Sequence, residues 1–406
     1  MIKIMCYNKH MKKIKIILII LLCLSTGCKK KENKIEEPPD DFYIIFTENN
    51  IAEVYSDVLV SDFIMDTNGT ILNTEGIIDT TKLGTHSHLI EYEYLDKKYS
   101  SNVELTIIDS TPPLILSSGS KTVTIGHNKN LCNLIMFADN YDKKAKCIVE
   151  GDYDLNKIGT YSITYKVTDT SNNTETAKVK LNVIAKSNSS SSTSSRATVY
   201  FKDALSKYKN TDTEVGIDVS KWQGNINFEK VKKAGATFVI MRIGVQKAID
   251  GELEIDPYYY QNIKNAKAAG LKVGVYLYSI ATSKEEAIEQ AKWVINKLDG
   301  TDLDLPIVFD WESWGRWNTL NLSLYDINDI ADSFLNTVEA EGYKGMLYSS
   351  KYYLQNIWEN KKDYPVWLAH YTSETDYQGK YNFWQLCDTG RIDGINGYVD
   401  INVMYK

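Results

Sequence analysis

The sequence has few of the residues on which metal centres depend. Its 406 residues include six cysteines and five histidines, and the cysteines show no zinc-type spacing. His370 is the only histidine after residue 199, which argues against a multi-histidine zinc site there. The net charge is −7, with no basic block beyond the N-terminus, so charge gives no reason to expect nucleic acid. We expect no metal, no other cofactor and no nucleic-acid partner.

The apolar run near the N-terminus is short. Ile16–Leu24 has nine residues and follows several lysines, which is too short for a membrane-spanning helix but fits a signal peptide. It leads into Leu-Ser-Thr-Gly-Cys28, which resembles a bacterial lipobox except that a serine stands where an aliphatic residue is usual. We predict a signal over 1–28, lipidation of Cys28, and a membrane-anchored lipoprotein at the bacterial cell surface. The alternative is an ordinary cleaved signal and a secreted protein.

Residues 29–40 are polar and contain prolines, so we predict that they form a tether. From 41 to 184, short β-branched and aromatic runs alternate with turn residues, as in all-β domains. Within this region, the stretch that starts at Asp79 matches the one that starts at Asp154, at a spacing of 75 residues. The repeat predicts two tandem β-sandwiches, over 41–109 and 110–184.

The second β-module carries the fuller set of motifs. It opens with Asp109-Ser-Thr-Pro-Pro, contains Asp139-Asn-Tyr-Asp, and closes with an alternating run that ends at Asp169. In these motifs it is similar to the immunoglobulin-like modules of bacterial surface proteins, which usually act as spacers and otherwise bind ligands. Cys132 and Cys147 both lie in this module. They either form a disulfide, worth on the order of 3 kcal/mol, or stay as two buried thiols.

A serine-rich linker over 185–198 precedes a region, 199–406, in which strands alternate with helices. The eight predicted strands are 215–219, 237–243, 272–278, 306–309, 345–349, 366–369, 382–386 and 398–403. The five predicted helices are 228–233, 257–269, 283–298, 324–340 and 352–358. Such alternation is typical of an α/β barrel with a parallel sheet, here an irregular TIM-like barrel because the last strands lack helices between them.

The fourth predicted strand ends in Asp310-Trp311-Glu312. Residues i and i+2 of a strand point to the same side, roughly 6–7 Å apart along the chain, and barrel active sites lie at the carboxyl ends of the strands. Glycoside hydrolysis needs two such carboxyl groups. The other strand ends add polar and aromatic residues: Asp218, Arg242, Tyr276, Tyr278, Tyr348, His370, Tyr371, Trp384, Gln385 and Asp400. The pattern predicts one rim with four acids.

The barrel region resembles the family 25 glycoside hydrolases, the lysozymes that cut peptidoglycan chains. The matching motifs are Gly216-Ile-Asp-Val-Ser-Lys-Trp-Gln-Gly, Phe238-Val-Ile-Met-Arg, Gly274-Val-Tyr-Leu-Tyr, Phe309-Asp-Trp-Glu, Trp367-Leu-Ala-His-Tyr, Trp384-Gln and Val399-Asp-Ile-Asn. The resemblance implies an exported N-acetylmuramidase that cleaves the β-1,4 bond between N-acetylmuramic acid and N-acetylglucosamine. Peptidoglycan would be the partner, and we expect a monomer.

The resemblance also implies roles for individual residues. Glu312 corresponds to the general acid, and Asp310 to its partner, acting as nucleophile or as stabiliser of the sugar cation unless the substrate's acetamido group takes part. Asp218 and Asp400 correspond to flanking acids. Residues expected to contact substrate are Arg242, Tyr276, Tyr278, Tyr348, Trp367, Tyr371, Trp384 and Gln385. The tryptophans also suit an ordinary core, and Arg242 also suits the positioning of an acid. The alternative function is a non-catalytic peptidoglycan-binding protein or surface adhesin.

Overall fold

The computed structural model describes residues 37–47, 50–116, 119–186 and 196–406. The predicted signal with Cys28, the first part of the tether and most of the serine-rich linker lie outside the described residues. The chain forms two compact units. The first comprises the described residues up to Asn50 together with Leu59–Ile77 and Ser87–Glu104, and the second comprises Ile51–Val58, Ile78–His86 and Leu105–Lys406.

Residues 41–109 contain only strands and one short 3-10 turn in their described part. The strands are β1 (Ile44–Phe46), β2 (Ile51–Glu53), β3 (Ile64–Thr67), β4 (Thr70–Ile71), β5 (Gly84–Tyr94) and β6 (Lys97–Ile108). Within the first unit, β1 pairs antiparallel with β3, and β4 with β5. The rings of Phe42 and Tyr92 stack there with centroids 4.2 Å apart.

The module that resembles immunoglobulin domains lies in the second unit and has two sheets. Its strands are β7 (Leu114–Leu116), β8 (Lys121–Thr124), β9 (Met136–Ala138), β10 (Lys146–Glu150), β11 (Gly159–Thr168) and β12 (Thr174–Ile184). One sheet pairs β7 with β9, and the other has the order β10-β11-β12-β8. Between them the Tyr165 side chain is fully buried and donates a hydrogen bond to the Leu131 carbonyl at 3.2 Å. Cys132 and Cys147 form a disulfide with Cα atoms 6.1 Å apart, so of the two alternatives the structure has the bridge.

Residues 199–406 form the barrel region. Its strands are β13 (Val199–Tyr200), β14 (Thr213–Val219), β15 (Phe238–Gln246), β16 (Leu253–Ile255), β17 (Lys272–Ser279), β18 (Ile307–Trp311), β19 (Gly345–Ser350), β20 (Val366–Ala369), β21 (Phe383–Arg391) and β22 (Val399–Tyr405). Its helices are α1 (Phe201–Tyr208), α2 (Phe228–Lys233), α3 (Tyr259–Ala268), α4 (Lys284–Leu298), α5 (Leu324–Ala340) and α6 (Lys351–Asn356). Eight strands close in the order β14-β15-β17-β18-β19-β20-β21-β22. The barrel is not a regular parallel one, because its last strand, β22, pairs antiparallel with both β14 and β21.

Local sequence signals explain where these elements begin and end. Ser283 caps α4, since its hydroxyl oxygen accepts the Glu286 N–H at 3.2 Å. Gly270 follows α3 at a φ of +73°, which a glycine adopts without strain. Gly216 in β14 is required by close packing, because a Cβ there would lie 2.5 Å from the Phe238 carbonyl oxygen. All eight predicted strands and five predicted helices are present, and α1 is an additional helix that the sequence analysis did not predict. Among the described helices, none is both long and apolar enough to cross a membrane.

The barrel has two apolar layers. The interior is filled by Phe238, Ile240, Val308, Met346 and other side chains that alternate along the strands. A larger layer lies between the strands and the surrounding helices. Alternation along each strand therefore decides whether a side chain faces the interior and its rim or the helices.

The immunoglobulin-like module packs directly on the barrel region. Leu116 and Ala138 belong to the same buried apolar cluster as the barrel's helices. Next to them, Asn318 at the end of the 3-10 helix Ser313–Thr319 donates from Nδ2 to the Ile135 carbonyl at 2.8 Å and accepts the Phe137 N–H at 3.4 Å. The first turn of α5 adds a bond from the Leu324 N–H to the Asp139 carbonyl at 2.7 Å. Within this second unit the module is therefore a packed part of the structure.

We expect Asn318→Ala to loosen this contact, because it removes two hydrogen bonds to the backbone of β9 and the residue before it. The cost should be about 1 kcal/mol, since Asn318 is partly open to water. The backbone amides of residues 131–140 should exchange their hydrogens with solvent faster than in the wild-type protein.

Thr319→Ala is the matched control. The Thr319 hydroxyl bonds only to the Arg316 carbonyl of its own helix, at 2.7 Å, so this variant should leave exchange in 131–140 unchanged. Equal exchange in the two variants would show that Asn318 does not hold the module.

Candidate active site

Asp310 and Glu312 lie at the end of β18, one on each side of Trp311. The Trp311 side chain is fully buried on the helix side, where its Nε1 donates to the Ala281 carbonyl at 2.9 Å. The two acids point the other way and lie close enough for each to shift the pKa of the other. Asp310 is 5% exposed, whereas Glu312 is open to solvent. One oxygen of Asp310, Oδ1, is buried with no hydrogen-bond partner among the residues that the structure describes.

Asp218 and Asp400 face each other across the antiparallel β14–β22 pair, where they are register partners. The Gln385 amide joins them, because its Nε2 donates to Asp218 Oδ2 at 2.9 Å and to Asp400 Oδ2 at 3.1 Å. Asn402 adds a bond from Nδ2 to Asp218 Oδ2 at 2.7 Å and accepts the Trp367 Nε1–H at 2.8 Å. Two amide side chains thus hold the second pair of acids.

The Gln385 side chain has no hydrogen-bonding capacity left for a ligand. Its Oε1 accepts the hydroxyls of Tyr348 and Tyr371, at 2.9 and 3.1 Å, and both N–H groups go to Asp218 and Asp400. It is 3% exposed. The predicted contact between Gln385 and a substrate is therefore not what this geometry offers, and the amide instead orients the acids and tyrosines.

The electrostatics of the Asp310–Glu312 pair favour a retained proton. Burial raises the pKa of Asp310 well above its usual range, and the neighbouring Glu312 charge raises it further. Partial loss of water around the Glu312 carboxyl, beside the rim side chains, also raises its pKa, although the neighbouring Asp310 carboxyl and Tyr348 hydroxyl oppose that shift. Both shifts favour the protonated form of the pair, and the interaction between the two carboxyls favours the proton on Asp310.

The Asp218–Asp400 pair behaves in a similar way. Burial raises the pKa of Asp218 to about 6, against the hydrogen bonds from Asn402 and Gln385 that favour its ionised form. Burial and the Asp218 charge raise the pKa of Asp400 to about 9. Four carboxyl groups on one rim therefore do not all ionise at neutral pH.

Arg242 lies in the rim but is bound by an acid that the sequence analysis did not identify. Its Nε donates to Asp256 Oδ2 at 2.8 Å and its terminal nitrogen donates to the same oxygen at 2.6 Å. Arg242 is 8% exposed and Asp256 2%. The guanidinium charge lowers the pKa of Asp310, so Arg242 acts on an acid from within the protein. Of its two expected roles, the geometry favours the positioning of an acid over contact with substrate.

The predicted aromatic residues fall into three groups. Tyr276, Tyr348 and Trp367 pack in the barrel interior beneath the acids, with the Tyr348 and Trp367 ring centroids 4.8 Å apart. Tyr371 is 41% exposed and Tyr278 is half-buried. Of these aromatic residues, Tyr371 is the most open to solvent.

Trp384 belongs to the third group, which faces the helices. Its ring meets Tyr208 of α1 edge-on at 5.4 Å, and its Nε1 donates to the His370 carbonyl at 2.8 Å. With 2% exposure in the outer apolar layer, Trp384 is not brought to the site. The predicted sugar contact of Trp384 is therefore corrected to the core position that was the alternative for the tryptophans. Adjacent residues of a strand face opposite sides, and Gln385 is the one that faces inward.

Two residues of the site, Asn402 and Asp256, were not predicted from the sequence. Asn402 lies in a motif that was used, but its side chain was given no role. Asp256 precedes Pro257 and the helix α3, where an aspartate is ordinarily a capping residue, and its Oδ1 does accept the Tyr258 N–H at 3.0 Å. No local signal marks it as the partner of Arg242, which is fourteen residues away.

We expect Asp400→Asn to stabilise the protein at high pH. The folded-state pKa of about 9, against 3.8 for a free side chain, means that the folded protein keeps a proton that the unfolded chain releases. The free energy of unfolding therefore falls as the pH rises through this window. A neutral amide avoids this loss, so the variant should gain several kcal/mol at pH 8, at about 1.4 kcal/mol per pH unit above 3.8, and less than about 1 kcal/mol at pH 4, measured by urea unfolding.

Asp393→Asn, at an exposed aspartate nearby, is the control and should give no pH-dependent gain. An Asp400→Asn protein that is no more stable than wild type at pH 8 would contradict the assignment.

Comparison with known proteins identifies the families of two regions of the chain. Residues 217–395 match the family model for glycosyl hydrolases family 25, and residues 117–183 match the model for the Ig-like domain of bacterial surface proteins. The chain is 34% identical over 192 residues to the protein YegX of Escherichia coli K12, covering 46% of this chain and 68% of that protein. It is 30% identical to the autolytic lysozyme of Clostridium acetobutylicum, covering 46% and 54% of the two chains.

Among solved structures, a family 25 glycosyl hydrolase from Bacillus anthracis aligns with a TM-score of 0.44 and 23% identity, over 52% of this chain and 95% of that one. The family model and the level of identity to relatives together show that the chain belongs to glycosyl hydrolase family 25.

Proposed function

We propose that the protein is an exported lysozyme that hydrolyses the β-1,4 bond between N-acetylmuramic acid and N-acetylglucosamine in peptidoglycan. The observation that carries the proposal is the pairing of Asp310 and Glu312 at the open end of a barrel strand, where burial favours the protonated form of a carboxyl group. Glycosidases need one protonated carboxyl group and one ionised one at the bond they break. The autolytic lysozyme among the relatives supports the same substrate.

In this proposal the general acid is Glu312. It is the member of the pair that is open to solvent, so a glycosidic oxygen can reach it, whereas Asp310 is 5% exposed. The proton that Asp310 holds can pass to the neighbouring Glu312. Glu312 then donates that proton to the leaving oxygen as the bond to the sugar breaks.

Loss of the proton leaves Asp310 ionised when positive charge develops on the sugar ring. No hydrogen bond from a described residue neutralises its Oδ1, so the carboxylate charge stabilises the developing positive charge through space. Arg242 favours the ionised form of Asp310. A water molecule then completes hydrolysis by adding a hydroxyl to the sugar and returning a proton to the carboxyl pair.

Asp218 and Asp400 keep a negative potential at the opposite side of the rim. Asp218, with a pKa of about 6, is largely ionised at neutral pH. Its negative charge disfavours ionisation of the Glu312 carboxyl. The exposed faces of Tyr371 and Tyr278 are the rings on which sugars can stack.

The N-terminal part serves to place the enzyme at the wall. We include in the proposal a lipid anchor at Cys28, a tether over 29–40, and two β-sandwich spacers over 41–109 and 110–184. The match of residues 117–183 to Ig-like domains of bacterial surface proteins supports the second spacer and a location outside the cytoplasm. The 75-residue repeat supports the first. The catalytic part would act as a monomer.

We expect Glu312→Gln to reduce the release of new reducing ends from purified cell walls by about 10²–10⁴-fold, because it removes the proton donor while keeping the side chain's shape. Binding of the full-length variant to insoluble walls should be unchanged, which separates catalysis from a purely binding role.

The matched control is Glu289→Gln, at a glutamate of α4 whose side chain is 72% exposed. This variant should keep wild-type activity. Wild-type activity in Glu312→Gln, or no reducing ends from the wild-type protein, would refute the proposal.

The anchor has its own test. In bacteria that express the full-length chain and are fed a radioactive fatty acid, wild-type protein should carry label and Cys28→Ala should carry none. Ser25→Ala, which leaves the cysteine in place, is the control and should remain labelled. Equal labelling with and without Cys28 would rule out lipidation there.

A further inference from the structure

Three aspartates meet at one end of the immunoglobulin-like module, away from the barrel rim. Asp109 follows β6, Asp139 follows β9 and Asp169 follows β11, so three strand ends bring them together. They are 6%, 1% and 6% exposed. One carboxylate oxygen from each lies within 4.8 Å of one from each of the others. Such proximity is costly for buried carboxylates without a counter-charge.

In both Asp139 and Asp109, one carboxylate oxygen accepts hydrogen bonds and the other has no partner among the described residues. Asp139 Oδ1 accepts the N–H groups of Tyr141 and Asp142 at 2.9 and 2.7 Å. Asp109 Oδ1 likewise accepts the Thr111 N–H at 3.2 Å and an amide hydrogen of Asn140 at 3.3 Å. The second oxygen of each carboxylate, Oδ2, is buried and has no hydrogen-bond partner in the described ranges. Buried polar oxygens are nearly always paired, so these two need a partner.

The third aspartate is held in place by its own loop. Asp169 Oδ1 accepts the Asn173 N–H and Oδ2 accepts the Asn173 amide, both at 2.8 Å. The same amide also donates to the Asp109 carbonyl at 2.9 Å. These bonds keep Asp169 beside Asp109 while leaving lone pairs on its oxygens. The Oδ1 atom of Asn140 is a further buried oxygen without a partner in the part of the chain that the structure describes.

Ion pairs within the described residues do not include any of these three aspartates. The cluster offers only carboxylate oxygens, and two of these oxygens have no hydrogen-bond partner among the described residues. Such a set of ligands suits a hard divalent cation.

We propose that Asp109, Asp139 and Asp169 bind one Ca²⁺ ion, with the Asn140 amide oxygen as a further ligand. Calcium accepts six to eight oxygen ligands in flexible arrangements, whereas Mg²⁺ requires a nearly ideal octahedron and Zn²⁺ favours nitrogen and sulfur. The cation neutralises the three carboxylates and gives the free oxygens of Asp109 and Asp139 a partner.

The site also bears on the contact with the barrel region. The Asp139 carbonyl accepts the Leu324 N–H at 2.7 Å, and the Asn140 carbonyl accepts the Tyr325 N–H at 3.3 Å. Both acceptors belong to the loop that supplies two ligands. Calcium binding therefore fixes the loop on which the first turn of α5 rests.

The test is titration of chelator-treated, full-length protein with Ca²⁺, followed by calorimetry and by thermal unfolding. We expect one Ca²⁺ per chain with a dissociation constant of about 0.1–1 mM, as in extracellular modules. We also expect a rise of several degrees in the melting temperature at about 10 mM Ca²⁺. Absence of both effects would overturn the proposal, and an equal affinity for Mg²⁺ would overturn the choice of metal.

Two variants locate the site. Asp139→Asn should weaken Ca²⁺ binding at least about tenfold and lose the calcium-dependent rise in melting temperature, whereas Asp152→Asn, at an exposed aspartate of the same module, should keep both. Similar losses in both variants would refute the assignment. Should Asp139→Asn not fold, Tb³⁺ emission from the wild-type protein, excited through Tyr141 beside the site, decides the matter. Emission that Ca²⁺ displaces supports the site, and its absence refutes it.

Discussion

The amide side chains of Gln385 and Asn402 make it possible for the barrel to bury acids at its rim. Gln385 joins Asp218 to Asp400 and takes both tyrosine hydroxyls, and Asn402 adds a second donor to Asp218. This network depends on β22 running antiparallel between β14 and β21, since that register sets Asp218 opposite Asp400 and Gln385 opposite Asn402. A regular parallel closure would not place these four side chains together.

A second dependence links the catalytic strand to the immunoglobulin-like module. The 3-10 helix Ser313–Thr319 begins directly after Glu312, and its Asn318 is held by the backbone of the module. The module's apolar residues join the barrel's outer layer. A domain that its sequence suggests to be a spacer therefore also supports the segment that follows Glu312, in addition to carrying its own cluster of aspartates.

The sequence was most informative about the barrel's elements. Periodic apolar residues over the strands and helices predicted thirteen of them, and helix α5 has the predicted bounds, Leu324–Ala340. The acid pair at the end of β18 was predictable because i and i+2 residues of a strand share a side. Helix α1 was missed, since its eight residues follow the serine-rich stretch and carry too short a pattern to distinguish from a linker.

Sequence alone could not decide which partner each polar or aromatic residue would have. Trp384 and Gln385 are neighbours in the chain, yet one faces α1 and the other joins the acids, and only the strand register determines which. The pairing of Arg242 with Asp256 likewise depends on two segments that meet in space. The sequence by itself determined the family motifs, the barrel's elements and the four acids, because these depend on local periodicity and residue type. The tertiary structure decided their pKa values and contacts, because burial and hydrogen bonding arise only when distant segments pack together.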